Sequence, residues 1–152
     1  MLIRSTRFGE IEVSENEFIR FPYGLPGFSQ EKAFAILPYQ PDSPFAFLQS
    51  TTEPDLTFVI VDPFVFFADY NFQLEDTVVT ELGLSDDQPP QIFNIVRIPE
   101  ATDDITANLL APIIINRHTC RAMQIVLDKS PYTVRHRLFP QGQSAQTGKG
   151  GK

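Results

Sequence analysis

Prolines punctuate this chain too densely for long regular elements. Pro38, Pro41, Pro44 and Pro54 divide three apolar runs, 34–37, 45–50 and 56–62, and Pro112 interrupts the most apolar stretch, 106–116 "TANLLAPIIIN". A proline lacks the amide donor that a helix interior or a central strand needs, and its ring blocks the preceding helical turn. The runs between them are short, and several alternate apolar and polar side chains. Residues 2–8 "LIRSTRF" and 10–13 "EIEV" alternate about Gly9 and read as a hairpin turning there. Residues 17–21, 91–99, 113–116, 122–128 and 132–138 read as further strands. With 14 Phe among 152 residues, the composition also favours pleated, half-buried surfaces. Strands this short, with turn signals every 8–12 residues, predict a mainly β, single-domain fold, a small antiparallel β-barrel or sandwich.

Helical pattern is scarce. Leu74, Val78 and Leu82 recur every four residues, Glu75 and Asp76 suit a helix N-terminus, and Gly83 can end it, so a helix is expected over 74–83. Ser29 as N-cap with Glu31 in the first turn predicts one or two more helical turns over 29–34. Loop 21–28 "FPYGLPGF" holds two prolines and two glycines, yet carries Phe21, Tyr23, Leu25 and Phe28. An apolar loop of this kind folds back on the core or faces a partner. In 106–116, Pro112 is expected to open a buried strand over 113–116, and "TANLLA" before it to bend, with the Asn108 side chain bonding local backbone. From 140 the chain is polar and Gly-rich, and a disordered tail over 140–152 is expected beyond a domain spanning 1–139.

Charge is distributed unevenly. Residues 1–116 hold five basic residues against 18 acids, a net −13, and residues 117–152 hold seven against one, a net +6. Such an acidic body disfavours nucleic-acid phosphate and favours a basic partner. One cysteine, Cys120, precludes an internal disulfide. The N-terminus has no signal-peptide pattern and the longest apolar runs are too short to span a bilayer, so a soluble cytoplasmic protein is expected. Catalytic patterns are missing: no G-x-S-x-G elbow and no phosphate loop occur. His118 and Cys120, two apart, could form half of a dyad or half of a metal site, but zinc needs three or four ligands and no third has a matching spacing. Adjacent acids such as Asp103 and Asp104 read as a solvated face. No catalytic residue, cofactor or metal is therefore expected. Apolar proline-rich loops, many aromatics and an acidic field point to a protein that binds proteins.

Several segments together, "TRFGEIEV" (6–13), "FPYGLPGF" (21–28), "PFAFLQS" (44–50), "VDPFVFF" (61–67) and "NIVRIPEATDDITANLLAPIIIN" (94–116), resemble the flagellar assembly factor FliW family. "QIVLD" (124–128) and residues 132–135 continue the likeness, which spans about residues 2 to 138. The turn at Arg121–Met123 departs from it in lacking a glycine. The resemblance implies a small β-barrel-like domain without enzymatic activity. It also implies a cytoplasmic protein that binds newly made flagellin and antagonises CsrA, a basic RNA-binding repressor of flagellin translation. The alternative is a flagellin-specific chaperone with no repressor partner. A third reading, an enzyme on an acidic barrel, requires a deep pocket at a carboxylate pair or at His118 and Cys120. The residues expected to serve protein binding are Leu25, Phe28, Phe45 and Leu109, which if exposed would receive a helical flagellin segment, together with Asp103, Asp104 and Asn108. Direct nucleic-acid or membrane binding is not expected.

Overall fold

The computed structural model describes residues 1–30, 32–100 and 104–139. Its strands are β1 (Leu2–Ser5), β2 (Gly9–Glu12), β3 (Ile19–Arg20), β4 (Ala33–Pro38), β5 (Phe45–Ser50), β6 (Thr57–Val61), β7 (Gln91–Arg97), β8 (Thr106–Ala107), β9 (Ile113–Asn116), β10 (Arg121–Gln124) and β11 (His136–Arg137), with one α-helix, α1 (Asp76–Leu82). Seven strands close on themselves in the order β3–β4–β5–β6–β7–β9–β10 and back to β3. All neighbours in this ring run antiparallel except β3 and β10, which meet in parallel where Arg20 faces Arg121. The fold is thus mainly β, a small closed barrel with one short helix.

Alternation sets the two faces of the barrel wall. Phe34, Ala46, Leu48, Ile60, Phe93, Ile113 and Ile115 point inward and form one buried cluster with Phe21 and Leu25. The outward residues are apolar too, which an ordinary barrel could not leave in water. Three pieces of chain cover them. The β1–β2 hairpin lays Ile3 and Ile11 over Ala35 and Leu37. Helix α1 lays Val78 and Leu82 over Ile114. Residues 66–72 and the C-terminal segment cover Val61 and Val96 with Tyr70, Leu127 and Leu138. Each fully buried Leu, Ile or Phe contributes about 1.5–3 kcal/mol, so these covers are part of the stability and not appendages.

The most apolar stretch resolves into one strand broken in the middle. Val96 faces Ala107 and Phe93 faces Ile113, so five residues, 108–112, stand opposite Asn94 and Ile95 alone. This is a five-against-two interruption of the ladder, larger than an ordinary bulge, and its backbone must find partners elsewhere. All five carbonyls do. Asn108 O accepts from Asn94 Nδ2 at 2.8 Å and Leu109 O from the Tyr70 hydroxyl at 2.7 Å. Leu110 O accepts from Leu127 N at 2.8 Å, Ala111 O from Gln124 Nε2 at 3.0 Å and Pro112 O from Ile125 N at 3.0 Å. The Asn108 side chain accepts from Ala111 N at 3.1 Å, the local bond expected of it. Burial first, and the nearby Tyr132, push the Tyr70 phenol up to about 12, although its Asn94 hydrogen bond pulls the other way.

Several expectations shift. Among the described residues of 29–34 no helix forms: Ser29 and Gln30 lie in a turn and Ala33 already belongs to β4, because the register of β4 with β5 recruits Phe34 and Ala35 into the sheet. The bend "TANLLA" begins with two strand residues, since β7 and β11 both pair with β8. The first hairpin turns over residues 6–8, with Gly9, at φ 78°, paired to Ser5 as the first residue of β2. Gly83 ends α1 in the left-handed conformation as the pattern indicated. Residues 140–152, where a tail is expected, lie outside the described residues.

Candidate interaction groove

Where the hairpin cover stops short of the C-terminal cover, the outer wall of the barrel stays open. A groove of about 610 Å³ lies there, lined by Phe45, Phe47, Val59, Ile95, Val96, Ile98 and Phe139, with Arg7 and Tyr39 at its sides. The register explains the floor: Phe47 faces Val59 and Val59 faces Val96, so three strands present apolar side chains in one line. Phe47 is its centre. The Phe8 ring meets it edge-on with centroids 4.9 Å apart, Tyr39 stands at 6.2 Å, and the Arg7 guanidinium lies 5.4 Å above its ring. Phe45 packs on Phe66 at 5.8 Å, and Phe66 on Phe139 at 5.7 Å.

The hairpin tip that brings Arg7 and Phe8 here is pinned through a buried glutamine. Gln49, fully enclosed, accepts from the Ser5 hydroxyl at 2.8 Å. The Gln49 amide donates to the carbonyl of Ser50 at 3.2 Å. Thr6 N donates to Pro54 O at 2.9 Å, and the Thr6 hydroxyl bonds the Asp55 carboxylate. A polar group buried this completely is retained only when bonded.

The residues expected to meet a partner separate into different places. Phe45 lines the groove, half-buried. Phe28 is 41% exposed and packs edge-on against Phe58, which itself lines the groove, at 5.5 Å. Leu25 and Leu109 do not meet the condition of exposure: at 2% and 1% they are core. Leu25 is drawn in because Gly24 and Gly27 reverse the loop onto the barrel interior, and Leu109 because the bulge is tied down at both ends. Asn108 is half-buried and bonds within the bulge. Asp104 forms an ion pair with Arg137 at 2.9 Å, and Asp103 lies outside the described residues. Arg7, Phe47, Val59, Ile98 and Phe139 were not anticipated. Alternation in "FAFLQS" does place Phe45 and Phe47 on one face, but which part of a doubly apolar wall stays uncovered is a property of the assembled covers.

His118 and Cys120 sit in the turn between β9 and β10 and not on a shared strand. His118 is exposed. Cys120 adopts φ 58°, the left-handed conformation a glycine would hold at less cost. Among the described residues no three His, Cys, Asp or Glu side chains gather in a way that could hold a metal ion. No helix among them is long and apolar enough to cross a membrane. Exposed acids include Glu10, Glu12, Glu15 and Glu17 on the hairpin and the turn after it, and Glu75, Asp76, Asp86 and Asp87 in or near α1 along the chain.

Comparison with known proteins agrees with this architecture. A family model described as FliW protein matches residues 2–138. The flagellar assembly factor FliW of Desulfitobacterium hafniense (strain DSM 10664 / DCB-2) is 51% identical over 152 residues, covering all of both chains. That of Bacillus subtilis (strain 168) is 42% identical over 136 residues, 90% of this chain and 95% of the relative. A crystal structure of the flagellar assembly factor FliW superposes with a TM-score of 0.85 at 38% identity, covering 94% of this chain and all of the other. A matching model over nearly the whole chain, full-length relatives and a shared closed barrel place this protein in the FliW family of flagellar assembly factors.

Proposed function

We propose that this protein binds flagellin in the cytoplasm and antagonises the translational repressor CsrA by direct contact, relieving repression of flagellin translation. Within a family named for flagellar assembly, the observation that carries this reading is the charge distribution. A net −13 over residues 1–116, with acids exposed on the hairpin and around α1, suits a basic partner. Such a field raises the association rate and makes it depend on salt. Bound acids also disfavour RNA phosphate nearby: two like charges at 4 Å repel by about 4 kcal/mol at an effective dielectric of about 20, and much less beyond a Debye length of about 8 Å. The displacement therefore needs the acids close to the RNA-binding surface.

For flagellin, the groove with Phe45, and Phe28 beside it, supplies apolar contact area. Leu25, Asn108 and Leu109 act beneath the surface by shaping the loops that carry it, while Asp103 and Asp104 belong to the acidic contribution. A role in assembly involves no bond-making step, and we read the protein as a binding regulator without catalytic activity. The test is stopped-flow association with purified CsrA at several ionic strengths, with a labelled flagellin leader RNA as competitor. A rate that falls as salt rises, with RNA released on binding, is expected. An association rate indifferent to salt removes the electrostatic mechanism, and absence of a complex removes the repressor partner altogether.

A further inference from the structure

We propose that the groove over Phe47 and Val59 seats an amphipathic helix of a partner protein, one that carries a carboxylate beside its apolar stripe to meet Arg7. This assignment rests on the protein-binding role above and gives it a place and a chemistry. The groove's volume of about 610 Å³ falls within the range, about 300–1,000 Å³, of sites that enclose a ligand, room for a few apolar side chains at helical spacing. Phe8, Tyr39 and Ile98, at 39%, 56% and 52% exposure, extend the apolar surface around it, and contiguous exposed apolar surface of this kind marks interaction sites.

The sheet decides what backbone can lie there. β5 is paired with β4 and β6, β6 with β5 and β7, and β7 with β6 on one side and with β8 and β9 on the other. No strand of the floor offers a free edge, so an extended segment could not add to the sheet and would press unpaired amides against apolar side chains. A helix satisfies its own backbone and needs only an apolar stripe, recognised at i, i+3 or i+4, and i+7.

Charge decides the character of that helix. Arg4, Arg121 and Arg137 each pair with a carboxylate, Glu10, Glu81 and Asp104 respectively. Arg7, exposed over the Phe47 ring, forms no ion pair among the described residues. Asp55, in the adjoining cleft, is engaged by the Thr6 hydroxyl. A carboxylate arriving on a helix would find Arg7 stacked in place on the Phe47 ring and without an ion pair among the described residues, whereas a basic side chain at that same point would meet like charge.

The test uses the full-length protein with flagellin of the same bacterium as probe, read by calorimetric titration and by hydrogen exchange of the complex. Arg7→Glu and Ile98→Asp both alter exposed positions, and thermal melts check that each remains folded. Expected are protection on binding at residues 45–47, 57–59 and 95–98, an affinity loss of about tenfold or more for Ile98→Asp, and about tenfold for Arg7→Glu. Replacing the facing flagellin carboxylate by arginine is expected to restore binding to Arg7→Glu. Protection confined to other surfaces, with both variants at wild-type affinity, overturns the groove assignment and leaves flagellin binding standing. Failure of the wild-type protein to bind flagellin removes that reading and the groove assignment with it. Self-association that Ile98→Asp abolishes, with flagellin affinity untouched, makes a second copy the occupant and also overturns the proposal.

Discussion

Replacing Gly24 by alanine is expected to cost far more than the same change at Gly27, three residues on in the same loop. Both glycines hold positive φ, 69° and 83°, a conformation that costs an L-residue about 1–2 kcal/mol. They differ in surroundings. A Cβ on Gly24 would lie 2.6 Å from both the Cα and the carbonyl oxygen of Ser29, whereas one on Gly27 meets nothing within 4 Å. The obstacle at Gly24 is backbone, which cannot turn aside as a flexible side chain does. The loop must therefore open, loosening Leu25 from the interior cluster and the Leu25–Phe28 bridge with it. Overpacking of this type costs about 1–3 kcal/mol, so Gly24→Ala should lose about 2–5 kcal/mol in total and Gly27→Ala about 1–2. At this chain length each kcal/mol moves the midpoint by about 2–4 °C. Urea unfolding of both variants, followed by circular dichroism, gives the two values directly. Equal losses would refute the close-approach argument, since strain at positive φ alone would then account for both.

Two further outcomes follow from polar groups that the fold holds in hydrogen bonds. Asn116, fully enclosed at the end of β9, donates to the Leu82 and Gly83 carbonyls at 2.7 and 3.2 Å and so caps the end of α1 from a neighbouring strand. Asn116→Ala should cost about 1–3 kcal/mol and speed hydrogen exchange in α1 selectively; uniform exchange through the helix and barrel would count against a local cap. His136 Nε2 accepts from Thr133 N at 2.9 Å, and burial holds its pKa below the ordinary 6.5. The neutral ring is the one the fold favours, so its contribution is full above pH 6.5 and is lost as pH falls through the folded pKa. NMR titration should place His136 below 6.5, and a value above it would contradict the acceptor role.

The element pattern was largely legible. β4, β5 and β6 coincide closely with the apolar runs between prolines, because each run is rich in residues that suit a pleated surface and each proline stands at or beyond a strand end, where no ladder bond is needed. Helix α1 and its glycine terminus followed from a four-residue apolar spacing. Where reading failed, a longer-range partner overrode a local preference. Ser29 is a good cap residue, but the chain just beyond it is claimed by the sheet, Ala33 by β3 and Phe34 onward by β5. For Leu25 and Leu109 the sequence leaves a core and a partner-facing placement both open, and hydrogen bonds from distant Tyr70 and Asn94 and the reversal at Gly24 turn them inward.

By itself the sequence determined a barrel-sized β domain, the place of most of its strands though not their lengths, its acidic field and its family, since these depend on periodicity, composition and ordered short motifs. Only the tertiary structure decided which apolar residues stay in water. Both faces of the barrel wall are apolar, and alternation cannot tell a covered outer face from a bare one. The hairpin, α1 and the C-terminal segment meet the wall through contacts between residues far apart in the chain, and the groove at Phe47 is the gap those three covers leave.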